Sequence, residues 1–269
     1  MRTNNGLFFD GNDLSSPDID NAGFHNSIYR GKDITSYLTD SSLWTRISSG
    51  KFTDLFIGDY FNVMLNGETV LMRIAAFDTF LKTGSTAVTA HHVVIIPDVF
   101  LERAAMNNIG GTTGAYTGTD MYKTVLPKWA GYLETALGAS HVLQTSEYLT
   151  SKVDANAKNY IRPNLTGASN AGTWKAQKAN LLSETEVYGY TSYSSSGYEN
   201  SMVNYGQLPL FRLSSQKIIA LSSNGDQKTY WLRNVASKDD FCLVDGSGYV
   251  GSSYSGSSGY AVRPRFVIG

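Results

Sequence analysis

Fourteen of the fifteen residues from Gly246 to Tyr260 are Gly, Ser or Tyr, and close behind them comes a β-branched apolar ending, Val262 to Ile268. A stretch of that composition has too little apolar surface to build a core, and alone it would behave as a flexible linker. Here it lies between "FCLV" and "AVRPRF", two runs that read as strands. Any order it has must therefore come from its flanks. The expectation is a polar loop pinned at both ends by strands, in a chain that closes on a buried strand.

The chain must supply the core to which those strands belong. Its 269 residues are 42% hydrophobic and 12% aromatic, enough for one large domain or one domain with a small appendage. Net charge is -1, only 17% of residues are charged, and no Lys/Arg run stands out. Nucleic acid or an anionic membrane is not expected as the main partner, because both call for a basic face. No apolar run has the length of a membrane span, and "MRTNNGLFFDGNDLSS" lacks the apolar stretch of a signal peptide. A soluble, cytoplasmic start is expected, which does not stop the protein leaving later inside a larger assembly. The one cysteine, Cys242, rules out an intrachain disulfide and reads as a small buried residue between Phe241 and Leu243.

Along the chain, residues 1–24 are rich in Asn, Asp, Gly and Ser and read as an arm that docks on something else. "TDSSLWTRISSG" predicts a short helix ending at Gly50. "DLFIGDYFNVMLNGETVLMRIAAFD" predicts a hairpin turning at Asn66-Gly67. "HHVVIIPD" predicts a strand buried on both faces. "GTDMYKTVLPKWAGYLETALG" predicts a helix capped by Thr119, stopped by Gly138, and kinked or restarted at Pro127. "HVLQT" reads as a strand and Ser183 to Val187 as a short helix. "LPLFRL", "KIIAL", "TYWLRNVA", "FCLVDG" and "AVRPRFVIG" all read as strands, with polar insertions at 190–207 and in the closing stretch. The fold class expected is α+β with long loops near the C-terminus.

"TYWLRNVASKDDFCLVDGSGYVGSSYSGSSGYAVRPRFVIG" resembles the C-terminal signature of a bacterial and phage family of C-type-lectin-like domains, a Trp-Leu-Arg strand, a polar stretch, then Val-Arg-Pro and a terminal strand. "HNSIYRGKDIT", "FTDLFIGDYF", "RIAAFDTFL", "HHVVIIPD", "TGTDMY", "LLSETEVYG" and "QLPLF" are similar to a phage-virion version of it, so the likeness covers roughly residues 25–269. It implies a C-type-lectin-like fold with paired terminal strands and long irregular loops forming a binding face. Related proteins, among them the targets of diversity-generating retroelements, vary residues in this C-terminal region. The role implied is a non-enzymatic virion protein for adhesion to a host-surface glycan or protein. The arm would attach to other virion proteins, and the chain would form a homo-oligomer. The alternative is a capsid or tail decoration whose loops pack on neighbouring subunits.

Binding loops favour tyrosine for rigid amphipathic contact, with Ser and Gly adapting around it. Tyr249, Tyr254 and Tyr260 are the expected anchors, with Asn234, Lys238, Asp239 and Asp240 beside them. Tyr193, Tyr198 and Tyr205 would join them if the two insertions meet in space. Trp231, Arg233, Arg263 and Pro264 carry the family signature, and a structural role is expected, the arginines satisfying buried carbonyls or carboxylates. His91-His92, with Asp78 and Asp98, is weighed as a metal site and set aside, because neighbours on a strand point to opposite faces. Calcium-lectin motifs and EF-hand spacing are missing from the sequence, so neither metal nor cofactor is expected. The same broad fold hosts formylglycine-generating oxidases, but those are associated with paired cysteines. Glu184 and Glu186, two apart, do not share a helix face and make a poor acid–base pair.

Overall fold

In the computed structural model the described residues are 21–153, 171–194, 206–220, 227–257 and 259–269. The chain enters through three short helices, α1 (Ala22–His25), α2 (Thr35–Thr39) and α3 (Ser42–Ser48). It then forms the hairpin of β1 (Tyr60–Leu65) and β2 (Glu68–Phe77). Asn66 and Gly67 carry φ angles of 51° and 85°, the pair of positive values that a two-residue hairpin turn requires. β3 (Val93–Pro97) is buried at all five positions, as an unbroken apolar run demands.

Helix α4 (Ala115–Gly118) leads into a π-helical turn, Met121–Val125, and then α5 (Leu126–Leu137). Thr119 Oγ1 accepts from Tyr122 N, 3.1 Å away, and Pro127 lies in the first turn of α5, where its missing N–H costs nothing. The helix runs on from the π turn without a break, and Pro127 sits where the ladder changes from π to α. Next come β4 (Thr145–Lys152), β5 (Ala171–Gln177) and β6 (Ala179–Leu181), then α6 (Glu184–Tyr188). Ser183 and Glu186 close α6 with a capping box. The remainder is β7 (Ile219–Ala220), β8 (Gln227–Lys228), β9 (Tyr230–Val235), β10 (Asp240–Val244), β11 (Val250–Tyr254) and β12 (Pro264–Ile268).

The main sheet has the order β1-β2-β3-β12-β6, antiparallel throughout, and α5 packs across β1 and β6. A second sheet, β11-β10-β9, joins the first where Trp231 N donates to Ala261 O at 3.1 Å and Arg233 N to Leu182 O at 2.9 Å. The α+β class is therefore seen directly.

Several local expectations are corrected. The terminal strands share a sheet without pairing: β12 is buried at all five positions and takes an interior slot between β3 and β6. β1, whose burial alternates, takes the edge, with β2 and β3 between it and β12. "HVLQT" forms only isolated contacts, such as the Val142–Ile268 bridge, and β4 begins at Thr145. "LPLFRL" is a 3₁₀ turn over Pro209–Arg212, started by proline at the position where its ring fits. The closing stretch is not all loop, since β11 lies within it, paired residue for residue with β10 from Val250–Val244 to Tyr254–Asp240. An edge strand is held by its backbone ladder, so it forms without apolar side chains. At the other end, His25 is buried and Ala22 packs on the core, so the last residues assigned to the arm fold with the domain.

Candidate functional site

A candidate surface is built on the β10–β11 hairpin. At one end of β11 the Asp245 carboxylate accepts from the backbone N–H groups of Ser247 and Tyr249, at 2.8 and 2.9 Å, and leaves the Tyr249 side chain 72% exposed. Tyr188 Oη donates to Gly248 O at 2.9 Å and ties this turn to α6. At the other end Tyr254 is 50% exposed and lies over the loop after Asn107. That loop and the hairpin are cross-linked by main-chain bonds: Asn107 N to Ser255 O at 3.1 Å, Thr112 N to Lys238 O at 3.1 Å, and Ser255 N to Asp239 O at 3.0 Å. Ser255 Oγ adds a bond to Gly111 O at 2.8 Å. Between these anchors Ile109 is 95% exposed, an apolar side chain held out beside Tyr254. Sequence reading missed Ile109 and its loop; the available signal was "NNIGGTTG", a lone apolar residue among turn formers.

The other expected contact residues separate into surface and interior. Lys238 is exposed and Asp239 partly so, and they pair at 3.4 Å on the turn that the 107–112 loop grips. Asp240 is part-buried, and burial pushes its carboxyl up, helped by Asp239 and opposed by its bond to Ser237. Tyr260 is half-buried, its ring edge-on to Trp231 at 4.9 Å between centroids. Asn234 is wholly buried: Oδ1 accepts from Glu184 N at 2.8 Å and Nδ2 donates to Ser194 Oγ at 3.3 Å. It braces the interior and does not face a ligand. Tyr193 packs against the core, while Tyr198 and Tyr205 lie outside the described residues.

Beneath this surface lies a buried network of charges. Glu147 on β4 accepts from Arg233 Nη1 at 3.0 Å and from Arg265 Nη2 through one carboxylate oxygen. Its other oxygen accepts from Thr145 Oγ1 and Asn180 Nδ2, at 2.8 and 2.7 Å. Burial opposes ionisation of Glu147, but Arg265 and Arg233 outweigh it and hold the carboxyl down to about 2. Arg265 Nε donates to Glu186 Oε1 at 2.5 Å, while Glu186 Oε2 completes the capping box on Ser183 N at 2.7 Å. Glu184 points elsewhere: it accepts from Ser192 N, Tyr193 N, Ser194 N and Ser194 Oγ at 2.6 to 3.2 Å, anchoring the start of the second insertion. Glu147 and Arg265 were not singled out by sequence, because their partners lie 86 and 118 residues away.

The signature residues take structural positions. Arg263 spends its donors on carbonyls, Pro97 O at 3.0 Å and Gln216 O at 2.9 Å, and stacks between the Phe211 and Tyr230 rings. Trp231 Nε1 donates to Ala104 O at 2.8 Å. Pro264 opens β12, the strand position where a missing N–H is best tolerated. His91 Nδ1 meets Asp78 Oδ2 at 2.7 Å, whereas buried His92 accepts from Phe80 N through Nε2 at 3.0 Å. Cys242 is buried in β10. Among the described residues no group of three or more His, Cys, Asp or Glu is placed to hold a metal ion.

No curated protein and no solved structure matches the chain. A family described as a domain of unknown function, DUF6273, matches residues 132–269, a span that takes in the charge network from Glu147 to Arg265 and both exposed hairpin tyrosines. That span is a little over half of the chain, and the protein belongs to the DUF6273 family.

Proposed function

We propose that the protein is a non-catalytic binding module, a phage virion protein whose lectin-like domain adheres to a glycan or protein of the host surface. The observation that carries this reading is the exposure of Tyr249, Ile109 and Tyr254 on segments that are themselves held rigidly by main-chain bonds. Rigid aromatic side chains on a braced loop lose little entropy on contact, so they suit recognition. The engagement of the buried ionisable groups supports a non-catalytic role. Glu147 and Glu186 neutralise two guanidinium ions, and Glu184 is spent on loop amides. A homo-oligomer, or many copies on one particle, would turn weak single contacts into useful avidity. In this reading residues 1–24 attach the domain to other virion proteins.

The test is binding of the full chain, presented multivalently, to a panel of bacterial cells beside a Tyr249→Ser/Tyr254→Ser variant of equal melting temperature. Binding by the parent with at least a tenfold loss in the variant is expected. Equal binding by both would remove the hairpin as the reader. A second reading, a capsid or tail decoration, is favoured by one observation: among the described residues β11 is the edge of its sheet, with β10 on one side and no strand on the other. It requires Tyr249 and Tyr254 to be inaccessible on the assembled particle.

A further inference from the structure

A groove of about 330 Å³ on the opposite part of the sequence, between α3 and the segment that follows it, is lined by Ser42, Thr45, Arg46, Ser49, Lys51 and Thr53. Two of these six carry positive charge and four carry hydroxyls. Among the described residues no carboxylate lies within ion-pair distance of Arg46 or Lys51, although the protein's other arginine clusters are built around carboxylates. Asp40 is near enough to feel the charge of Arg46, but it is fully exposed and makes no ion pair with it.

Arg46 is held in place before any ligand arrives. Its guanidinium lies 4.1 Å from the Tyr37 ring centre, and Nη1 donates to Thr53 O at 2.7 Å. Its Nε is buried and has no hydrogen-bond partner. That atom is closed off from the groove, so the donors left for a ligand are those of Nη2, which makes no hydrogen bond among the described residues. A guanidinium with a spare donor and a fixed plane, beside an ammonium and hydroxyls, matches the geometry of a small oxyanion.

We propose that this groove binds a tetrahedral oxyanion, sulfate or phosphate, either free or carried as a monoester on a sugar. Arg46 supplies the directed donors, Lys51 the second charge, and Thr45 the neutral donor. The site stands apart from the tyrosine hairpin and does not depend on the adhesion reading.

The experiment is an amide-shift titration of the full chain by NMR with sodium sulfate and sodium phosphate, against sodium chloride at matched ionic strength. N-acetylglucosamine 6-sulfate and unsulfated N-acetylglucosamine form the sugar arms. Saturable shifts confined to residues 42–53 are expected with sulfate or phosphate and not with chloride. Lys51→Gln, at an exposed position, should weaken the affinity about tenfold, the worth of one charge-assisted contact. Arg46→Gln should weaken it further; if that variant fails to fold, Lys51→Gln decides alone. Tighter binding of the sulfated sugar than of inorganic sulfate would assign a sugar-borne anion, and equal binding a free one. Shifts reproduced by chloride, or untouched by Lys51→Gln, would overturn the proposal.

Discussion

Two guanidinium ions, those of Arg233 and Arg265, share a single oxygen of Glu147 inside the protein. Removing the charge of Glu147 while keeping its shape would leave Glu186, among the described residues, as the one carboxylate beside two buried cations. Glu147→Gln should therefore destabilise the fold by about 3–5 kcal/mol, read as a lowered denaturation midpoint, whereas Lys238→Ala on the surface should barely move it. The same carboxyl makes stability acid-dependent. Its folded value, about 2, lies below the ordinary carboxylate range, so its contribution is complete above about pH 4.5 and is lost as pH falls toward 2. In Glu147→Gln that portion of the acid transition should vanish. His92 gives a second, separable pH effect. Burial depresses its pKa, against the pull of Ala90 O and Asp78, and its Nε2 must stay unprotonated to accept from Phe80 N. Stability from this group is present above the ordinary histidine value near 6.5 and declines as pH falls below it. Melting curves should show a loss between about pH 7 and pH 5 in the parent that is smaller in His92→Gln. The charged partners of Glu147 could not be read from sequence, where it sits in "QTSEYLT" while Arg233 and Arg265 lie 86 and 118 residues away.

Elements were legible to the extent that their signals are local. The Asn66-Gly67 turn, the short helix near Ser183 to Val187 and the all-apolar β3 each depend on residues within a few positions, and each stands where sequence places it. β11 was illegible because "VGSSY" forms a strand only through the ladder that β10 offers. The Pro209 turn misled for a related reason: "LPLF" has the apolar content of a strand, but proline at its start favours a tight helical turn. The brace under Tyr254 yields a prediction at this scale. Gly110 has φ 75°, and a Cβ there would lie 1.8 Å from Tyr254 Oη. Gly110→Ala should both strain the backbone and push Tyr254 from its place, costing roughly 1–3 kcal/mol by thermal denaturation. Gly67→Ala, at φ 85° with open space around it, has only the backbone term and should cost about 1 kcal/mol.

For the whole molecule, a doubly braced hairpin sits on a charge-locked interior, and under the proposed binding role this arrangement would separate stability from recognition. Arg233, Arg263, Arg265 and Glu147 tie the strands together through bonds that do not run through Tyr249, Tyr254 or Ile109. The α+β class could be read from the alternation of apolar runs and turns, but the neighbours of β12 could not, because sheet order rests on contacts between distant segments. The most direct test of the binding account is hydrogen exchange of the full chain, free and bound to cells that retain it. The account predicts added protection at residues 107–112, 237–240 and 249–256, with the main sheet unchanged. Protection that spares all three segments and falls elsewhere on the domain would contradict it.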